Sequence, residues 1–272
     1  MLELRCTVRK CCNPLLRLEN GLGCAAGHHF DQAKEGYWNL TQPQDKKSVN
    51  PGDNKDAVHA RHRWLQRGHG NGLVGSLQDW IGDQFSSASI LDLGCGDGSF
   101  APLLFPDDAD GFCGIDLSKP AIKLAARGWP QATWVLANAD RGLPVMNATV
   151  DLVISLFGRR PVAEIKRVLK RSGVCMVAVP AEDDLLELRE VVQKRGERRS
   201  RVEAIIQEME DHGLKCLRQK QWRSKVEIGS DEIEDALAMT YRARRWSEKK
   251  LISSMDRKQV TLAADLMMFV VG

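Results

Sequence analysis

The stretch from Ser89 to Asp116 constrains the fold of this chain more than any other. A short apolar run, Ser89–Leu93, enters the turn Asp92-Leu93-Gly94-Cys95-Gly96-Asp97-Gly98, which has glycine at three alternate positions. Glycine there lets a backbone approach a ligand with no Cβ in the way. The start of the helix that follows offers free N–H groups and a positive dipole end. A second apolar run, Gly111–Ile115, closes on Asp116. Thr133–Ala137, Leu152–Leu156 and Val174–Val179 predict three more strands. Between them, Ser118 is placed to cap a helix starting near Pro120, where proline suits a first turn. Pro161–Arg171 predicts a helix with Val162, Ile165, Val168 and Leu169 on one face, ended by Gly173. Strands alternating with helices imply an α/β fold with a largely parallel sheet, covered on both faces. Glu182–Arg195 and the Val202, Ile205, Ile206, Met209 stripe predict two further helices, the second stopped by Gly213. Strands near Lys215–Arg223 and Val260–Val271 finish the sheet.

The glycine spacing points to a class of ligand. A dinucleotide site has G-x-G-x-x-G and takes a pyrophosphate. Here the spacing is G-x-G-x-G after an acid. S-adenosylmethionine carries no phosphate but an amino acid end, whose ammonium suits Asp92 and Asp97 beside Gly94, Gly96 and Gly98. A carboxylate at a strand end, here Asp116 followed by Leu117, can accept hydrogen bonds from both ribose hydroxyls. Asn138-Ala139 after the third strand would read the adenine edge. A nucleotide-sugar or dinucleotide is the competing ligand. The order of elements resembles the Rossmann-like class I methyltransferase fold.

The N-terminus carries separate chemistry. Cys6-x4-Cys11 and Cys24-x3-His28 form two pairs of sulfur and nitrogen ligands twelve residues apart. Zinc favours such a tetrahedral set and can hold together a module too small for its own core. Cys12 competes with Cys11, and His29 with His28. Eight cysteines without a secretion signal argue against a disulfide scaffold. No apolar run is long enough to span a membrane. The chain therefore divides into a zinc-ribbon-like module at 1–40, a linker and helical segment at 41–88, and a donor domain at 89–272. The linker, 41–56, holds two prolines and a Pro-Gly turn, with Asp53 placed to cap a helix running towards Ile81 that is interrupted around Gly68–Gly72.

Lysine and arginine total 39 against 36 acids, a formal net charge of +3. That excess alone names no partner, but its placement is uneven. Arg189, Lys194, Arg195, Arg198, Arg199 and Arg201 crowd one stretch; Lys215, Arg218, Lys220, Arg223 and Lys225 surround Trp222 in another. Such runs are either solvated faces or tracks for phosphates.

The residues then resemble one known family, the bacterial 23S rRNA (guanine-N1)-methyltransferases. The likeness runs from Cys24-x3-His28 through Phe30-Asp31-Gln32-Ala33-Lys34-Glu35-Gly36-Tyr37-Trp38-Asn39-Leu40, Pro51-Gly52-Asp53, Ala60-Arg61, Leu65 and Gly68-His69. It continues through Leu91–Gly96, Asp116-Leu117-Ser118-Lys119, Ala121-Ile122-Lys123 and Leu143-Pro144. The resemblance implies a cytoplasmic enzyme that uses S-adenosylmethionine and Zn2+. Its zinc module would help to engage a 23S rRNA hairpin, and its donor domain would methylate guanine N1. A homodimer is left open, and no membrane is involved. The sequence departs from the family at Gly70, where an aromatic is usual, and at Arg171-Ser172-Gly173, where Pro-Gly-Gly is usual. Asp184 stands for a histidine, and Tyr241 for a proline after Met239-Thr240. The competing functions are methylation of another RNA site or a small molecule, and an impaired RNA-binding homologue. Asp184, His69 and Asp140 are positioned as candidate proton acceptors, and none is assigned. Tyr37, Trp38 and Trp64 either stack on RNA or close the interface between module and domain.

Overall fold

A computed structural model describes residues 2–43, 52–193, 200–239 and 257–272. The basic residues Lys194, Arg195, Arg198 and Arg199, and also Thr240-Tyr241, lie outside the described residues. The N-terminal module holds a small antiparallel sheet of β1 (Leu16–Leu18), β2 (Gly21–Gly23) and β3 (His29–Phe30). It ends in β4 (Trp38–Asn39). Helices α1 (Lys55–Gln66) and α2 (Asn71–Ile81) follow.

The main domain alternates β5 (Ile90–Leu93), α3 (Ala101–Leu104), β6 (Phe112–Asp116), α4 (Lys119–Gly128) and β7 (Thr133–Leu136). It continues through β8 (Val150–Leu156), α5 (Val162–Val168), β9 (Leu169–Pro180), α6 (Leu186–Gln193) and α7 (Val202–Asp211). The order closes on β10 (Leu214–Gly229), α8 (Ser230–Ala238) and β11 (Arg257–Val271). The strand order is β10-β11-β9-β8-β5-β6-β7-β4. The strands from β4 to β9 pair in parallel, and β11 and β10 join antiparallel. This is the Rossmann-like class I methyltransferase arrangement expected from the sequence. None of the described helices is long and apolar enough to cross a membrane.

Strand alternation divides the core. Leu91, Leu93, Ile115, Val135, Val153 and Val177 pack on one face, with Ile165 of α5 and Met209 of α7. Ile90, Phe112, Trp134, Leu152, Ile154 and Met176 pack on the other, with Leu77 of α2 and Ile122 of α4. Burying both faces explains why these strands read as continuous apolar runs.

Several local expectations shift. The helix expected to reach Arg171 stops at Val168, and Leu169 already pairs with Val150. The backbone N–H groups of Ala148 and Thr149 take the carbonyls of Arg167 and Val168, drawing the chain into strand geometry. Asn54, not Asp53, caps α1, accepting from Ala57 N at 2.9 Å. Ser118 stands at the start of α4, but its hydroxyl donates to Asp53 O (2.8 Å) instead of capping.

The module is joined to the domain by strand pairing and a shared core. Trp38 and Asn39 pair in parallel with Val135 and Leu136, adding β4 to the sheet edge. Leu4 bridges to Val145, and Arg5 donates to Leu143 O at 2.9 Å. Leu2, Leu4, Leu22, Phe30, Trp38 and Leu40 belong to the same apolar cluster as Leu91 and Val135. Tyr37 and Trp38 are buried against the sheet, which favours the interface role over stacking on RNA; Trp64 is buried instead among residues of α8, β10 and β11.

Candidate donor cleft and metal centre

From β5 the chain moves to β6 on one side, while β8 lies on the other. Open α/β sheets place ligands at such a switch, beyond the carboxyl ends of the strands. A cleft of about 450 Å3 opens there, within the roughly 300–1,000 Å3 typical of small-molecule sites.

The three glycines serve different ends. Their φ angles are 72°, 58° and 74° at Gly94, Gly96 and Gly98, a region that side chains disfavour. A Cβ at Gly94 would stand 3.1 Å from Gly158 Cα, so two backbones touch there. A Cβ at Gly98 would lie 2.6 Å from the Trp134 ring and 2.9 Å from Ala125 Cβ, so this glycine lets α4 and β7 close on the loop. At Gly96 the nearest atom would be Arg61 Nη1 at 3.9 Å, across the cleft.

Of the residues expected at the donor, Gly94, Gly96, Asp97, Asp116, Leu117, Asn138 and Ala139 line this cleft. Asp92 and Gly98 are not among its lining residues; Asp92 sits behind the loop. The three acids have different surroundings. Asp116 accepts from Gly96 N (2.9 Å) and Ser118 N (2.7 Å). Burial raises its pKa, and those two N–H groups pull against that rise. Asp97 takes His62 Nδ1 and Ser99 Oγ on one oxygen, each at 2.6 Å. Asp92 Oδ1 has no hydrogen-bond partner among the described residues. Burial, helped by the nearby Asp116 charge, pushes its pKa to about 8. Asn138 accepts from Asp140 N at 3.1 Å, shaping the turn at Ala139.

Other cleft residues were not read from the sequence as donor-site residues. Gly52, Asp53, Arg61 and Leu65 line it from the segment before α1 and from α1 itself. Gly52 has φ 84°, and a Cβ there would lie 2.7 Å from Ser118 N. Asp53 then pairs with Arg61 at 3.0 Å. Pro51-Gly52-Asp53 was the available signal. Phe157, Gly158 and Arg159, after β8, form the opposite wall. Their signal was position alone, at the carboxyl end of the strand beside β5.

The candidate proton acceptors separate. His69 bonds Glu232 (2.8 Å) and stacks on Trp64 with ring centroids 4.0 Å apart. Asp184 accepts from Ala263 N at 2.9 Å, and burial pushes its pKa to about 6. It satisfies a β11 N–H just past the end of the β9 ladder, a structural duty. Asp140 alone of the three lines the cleft, where it pairs with Arg159 at 2.8 Å. Gly70 is crowded: a Cβ there would stand 2.8 Å from the Phe100 ring and 3.0 Å from Leu65 Cδ2, so a larger residue would have to displace these side chains.

At the other end, Cys6, Cys11, Cys24 and His28 bring their ligand atoms within 4.8 Å of one another. Cys6 Sγ and Cys24 Sγ lie 3.5 and 3.4 Å from His28 Nδ1, and Cys11 Sγ lies 3.7 Å from Cys24 Sγ. A tetrahedron with Zn–S of about 2.3 Å and Zn–N of about 2.0 Å has edges of about 3.5–3.8 Å, so the set fits zinc. The competing residues fall away. Cys12 is exposed, and His29 turns to Asp31 at 3.4 Å. Burial pushes the Cys6 thiol up to about 12. For Cys24 burial works the same way, but N–H groups of His28 and Ala26 prevail and bring it to about 7. A dication overrides this difference, because coordinating thiols are deprotonated.

Two families match the chain. Residues 90–173 match the methyltransferase domain, and residues 5–49 match the family described as RlmA, N-terminal, a zinc ribbon. The Streptomyces fradiae 23S rRNA (guanine(748)-N(1))-methyltransferase is 32% identical over 190 residues, covering 68% of this chain and 66% of that protein. A Micromonospora griseorubida protein, provisionally named 23S rRNA (guanine-N(1)-)-methyltransferase, is 30% identical over 206 residues, 68% of each chain. The chain thus spans about two thirds of these relatives' length. Among solved structures, a Bacillus halodurans protein described as a methyltransferase superposes with TM-score 0.54 at 14% identity, over 72% of this chain and 97% of that one. The YcgJ protein of Bacillus subtilis gives 0.51 at 16%, over 73% and 98%. These two speak for the fold alone. With each end of the chain matched to its own domain family and a relative aligned over two thirds of its length, the chain belongs to the 23S rRNA (guanine-N1)-methyltransferase family, S-adenosylmethionine-dependent enzymes with a zinc ribbon.

Proposed function

We propose that this enzyme transfers a methyl group to N1 of a guanine in a 23S rRNA hairpin, in the cytoplasm. The observation that carries the reading is the joining of a Cys3His module to the edge of the sheet that forms the donor cleft. When bound, S-adenosylmethionine supplies a methyl carbon already activated by its sulfonium, so the protein mainly orients the reactants and excludes water. Asp116 and Leu117 would hold the ribose, with Asn138 and Ala139 at the adenine edge. Gly94, Gly96 and Asp97 would receive the amino acid end. Gly98 acts indirectly, by letting the loop close on α4, and Asp92 is the buried acid of the strand that leads into the loop.

Guanine N1 carries a proton and lies on the Watson–Crick edge, so the base must come from a loop or be extruded. As N1 takes the methyl group its proton must leave, and Asp140 is the one of the three candidate acceptors that lines the cleft. Cys6, Cys11, Cys24 and His28 would hold zinc as a structural ion. Lys215, Arg218, Lys220, Arg223 and Lys225 are exposed along β10 and are candidates to meet phosphates.

Purified protein with 23S rRNA and the donor, read by primer extension, tests the reading. A new stop at one guanine, lost when the donor is omitted, is expected; no new stop at any guanine overturns it. The homodimer left open by the sequence is checked by light scattering.

A further inference from the structure

We propose that Phe157 is the platform on which the acceptor base stacks, an inference that rests on the base-methylation reading above. Among the exposed large apolar side chains of the described residues, Phe157 is the single aromatic one, 44% exposed, and it lines the donor cleft. No ring contact among the described residues involves it. Its φ is +63°, a conformation that is an outlier for a bulky residue. The protein therefore spends backbone strain to hold an aromatic ring in water at the mouth of its donor site.

The strain persists because the surroundings leave no alternative. Phe157 N donates to Ala178 O at 2.8 Å, continuing the β8–β9 ladder one residue past its end. The next residue, Gly158, lies against the donor loop: a Cβ there would stand 2.5 Å from Leu93 O and 3.3 Å from Gly94 Cα. Ser155 Oγ donates to Arg159 O at 3.3 Å, closing the turn from the other side. Arg159 reaches Asp140 at 2.8 Å and ties this wall to the turn after β7. Strain of this kind, fixed by several independent contacts, gathers at functional positions. A purine extruded from its stack loses two flat neighbours, and a rigid exposed aromatic ring replaces one of them.

Three variants test the platform: Phe157→Ala, Phe157→Gly and Phe157→Tyr. Base–aromatic stacking is worth about 1–3 kcal/mol, roughly 5- to 150-fold. Methylation of 23S rRNA by the Ala and Gly variants is expected to fall in kcat/KM by about that factor, and Tyr is expected to restore it. S-adenosylhomocysteine affinity by calorimetry should stay within about twofold, since the ring serves the acceptor. The melting temperature of Phe157→Gly should be no lower than that of wild type, because glycine relaxes the positive φ. Unchanged methylation by Phe157→Ala in an active wild-type background overturns the platform alone. Donor affinity that falls in step with methylation assigns the ring to the donor instead, and a lowered melting temperature in Phe157→Gly makes it structural. A wild-type protein that binds S-adenosylhomocysteine but methylates no guanine overturns the functional reading, and the platform with it.

Discussion

The metal centre and the donor cleft are built on opposite plans. The four metal ligands fall within residues 6–28, and their spacing is set by two short turns and a hairpin. The cleft draws its walls from Gly52 to Arg159, across five connections of the sheet. Their charges are also handled differently. The metal ligands converge on one point, and a cation there makes three thiolates and an imidazole, in contact at 3.4–3.7 Å, comfortable neighbours. The cleft acids are met by the chain itself: Asp116 by two backbone N–H groups, Asp97 by His62 and Ser99. The module is expected to depend on its ion for folding, whereas the cleft loops are held by the chain's own hydrogen bonds.

Metal removal is the hardest test of that contrast. Zinc binding to small finger peptides is worth about 10–16 kcal/mol at neutral pH. Leu4, Leu22, Phe30 and Trp38 share the sheet's core, so loss of the metal reaches beyond the module. Cys24→Ser, or a strong chelator, is expected to lower the melting temperature by on the order of 10 °C or more and to abolish rRNA methylation. Removing the donor should lower the melting temperature only by the few degrees expected from ligand linkage, and should leave the fold intact. Metal-free protein with unaltered melting and activity would collapse the distinction between the two sites.

The next effect concerns the cleft alone. Asp116→Ala removes the proposed ribose acceptor and leaves Gly96 N and Ser118 N without their partner. Hydrogen bonds to a charged group are worth about 1.5–3 kcal/mol each. S-adenosylhomocysteine affinity should weaken by about 100-fold or more, while bound zinc stays at one ion per chain. Calorimetry and metal analysis on the same sample read both. Equal affinity in the variant would remove Asp116 from the donor site.

This contrast also explains what was legible in the sequence. The zinc ligands could be named because their geometry is local, and only Cys12 and His29 needed coordinates to be set aside. The central strands could be placed because burial on both faces makes each one a plain apolar run. Gly94, Gly96 and Asp116 sit at strand ends, which the same pattern marks. Phe157 and Arg61 could not be read in this way. Their place at the cleft depends on β8 lying beside β5 and on α1 crossing back over the loop, which are facts of topology. β4 was missed because two residues carry no periodicity, and α8 because its apolar face is matched to α1 and to the ends of β10 and β11 rather than to the central strands. Asp235 shows the same blindness to tertiary structure: it is buried and takes Arg63 and Arg67 from a helix far away in sequence. Breaking that cluster with Asp235→Ala should cost about 1–2 kcal/mol, since both arginines stay partly exposed and screened. Denaturant unfolding measures it, and no loss would mean that apolar packing between α1 and α8 suffices.

The last effect concerns the buried acid of the strand that enters the donor loop. Asp92 has a folded pKa near 8, well above the 3.8 of a free aspartate, because it is buried without a partner on one oxygen. The folded state therefore binds more protons than the unfolded state between about pH 4 and 8, and stability falls as pH rises through that window. Asp184, at about 6, acts in the same direction but completes its change lower. Between pH 6 and 8 the slope from Asp92 is at most about 1.4 kcal/mol per pH unit. Asp92→Asn keeps the shape and removes the titration, so its stability relative to wild type should grow as pH rises from 6 to 8. Other titrating groups are shared by the two proteins and cancel in the difference. A constant difference across that range would mean that Asp92 stays ionised in the folded protein, held by a donor on its free oxygen. The acid entering the donor loop would then be satisfied in the same way as Asp97 and Asp116.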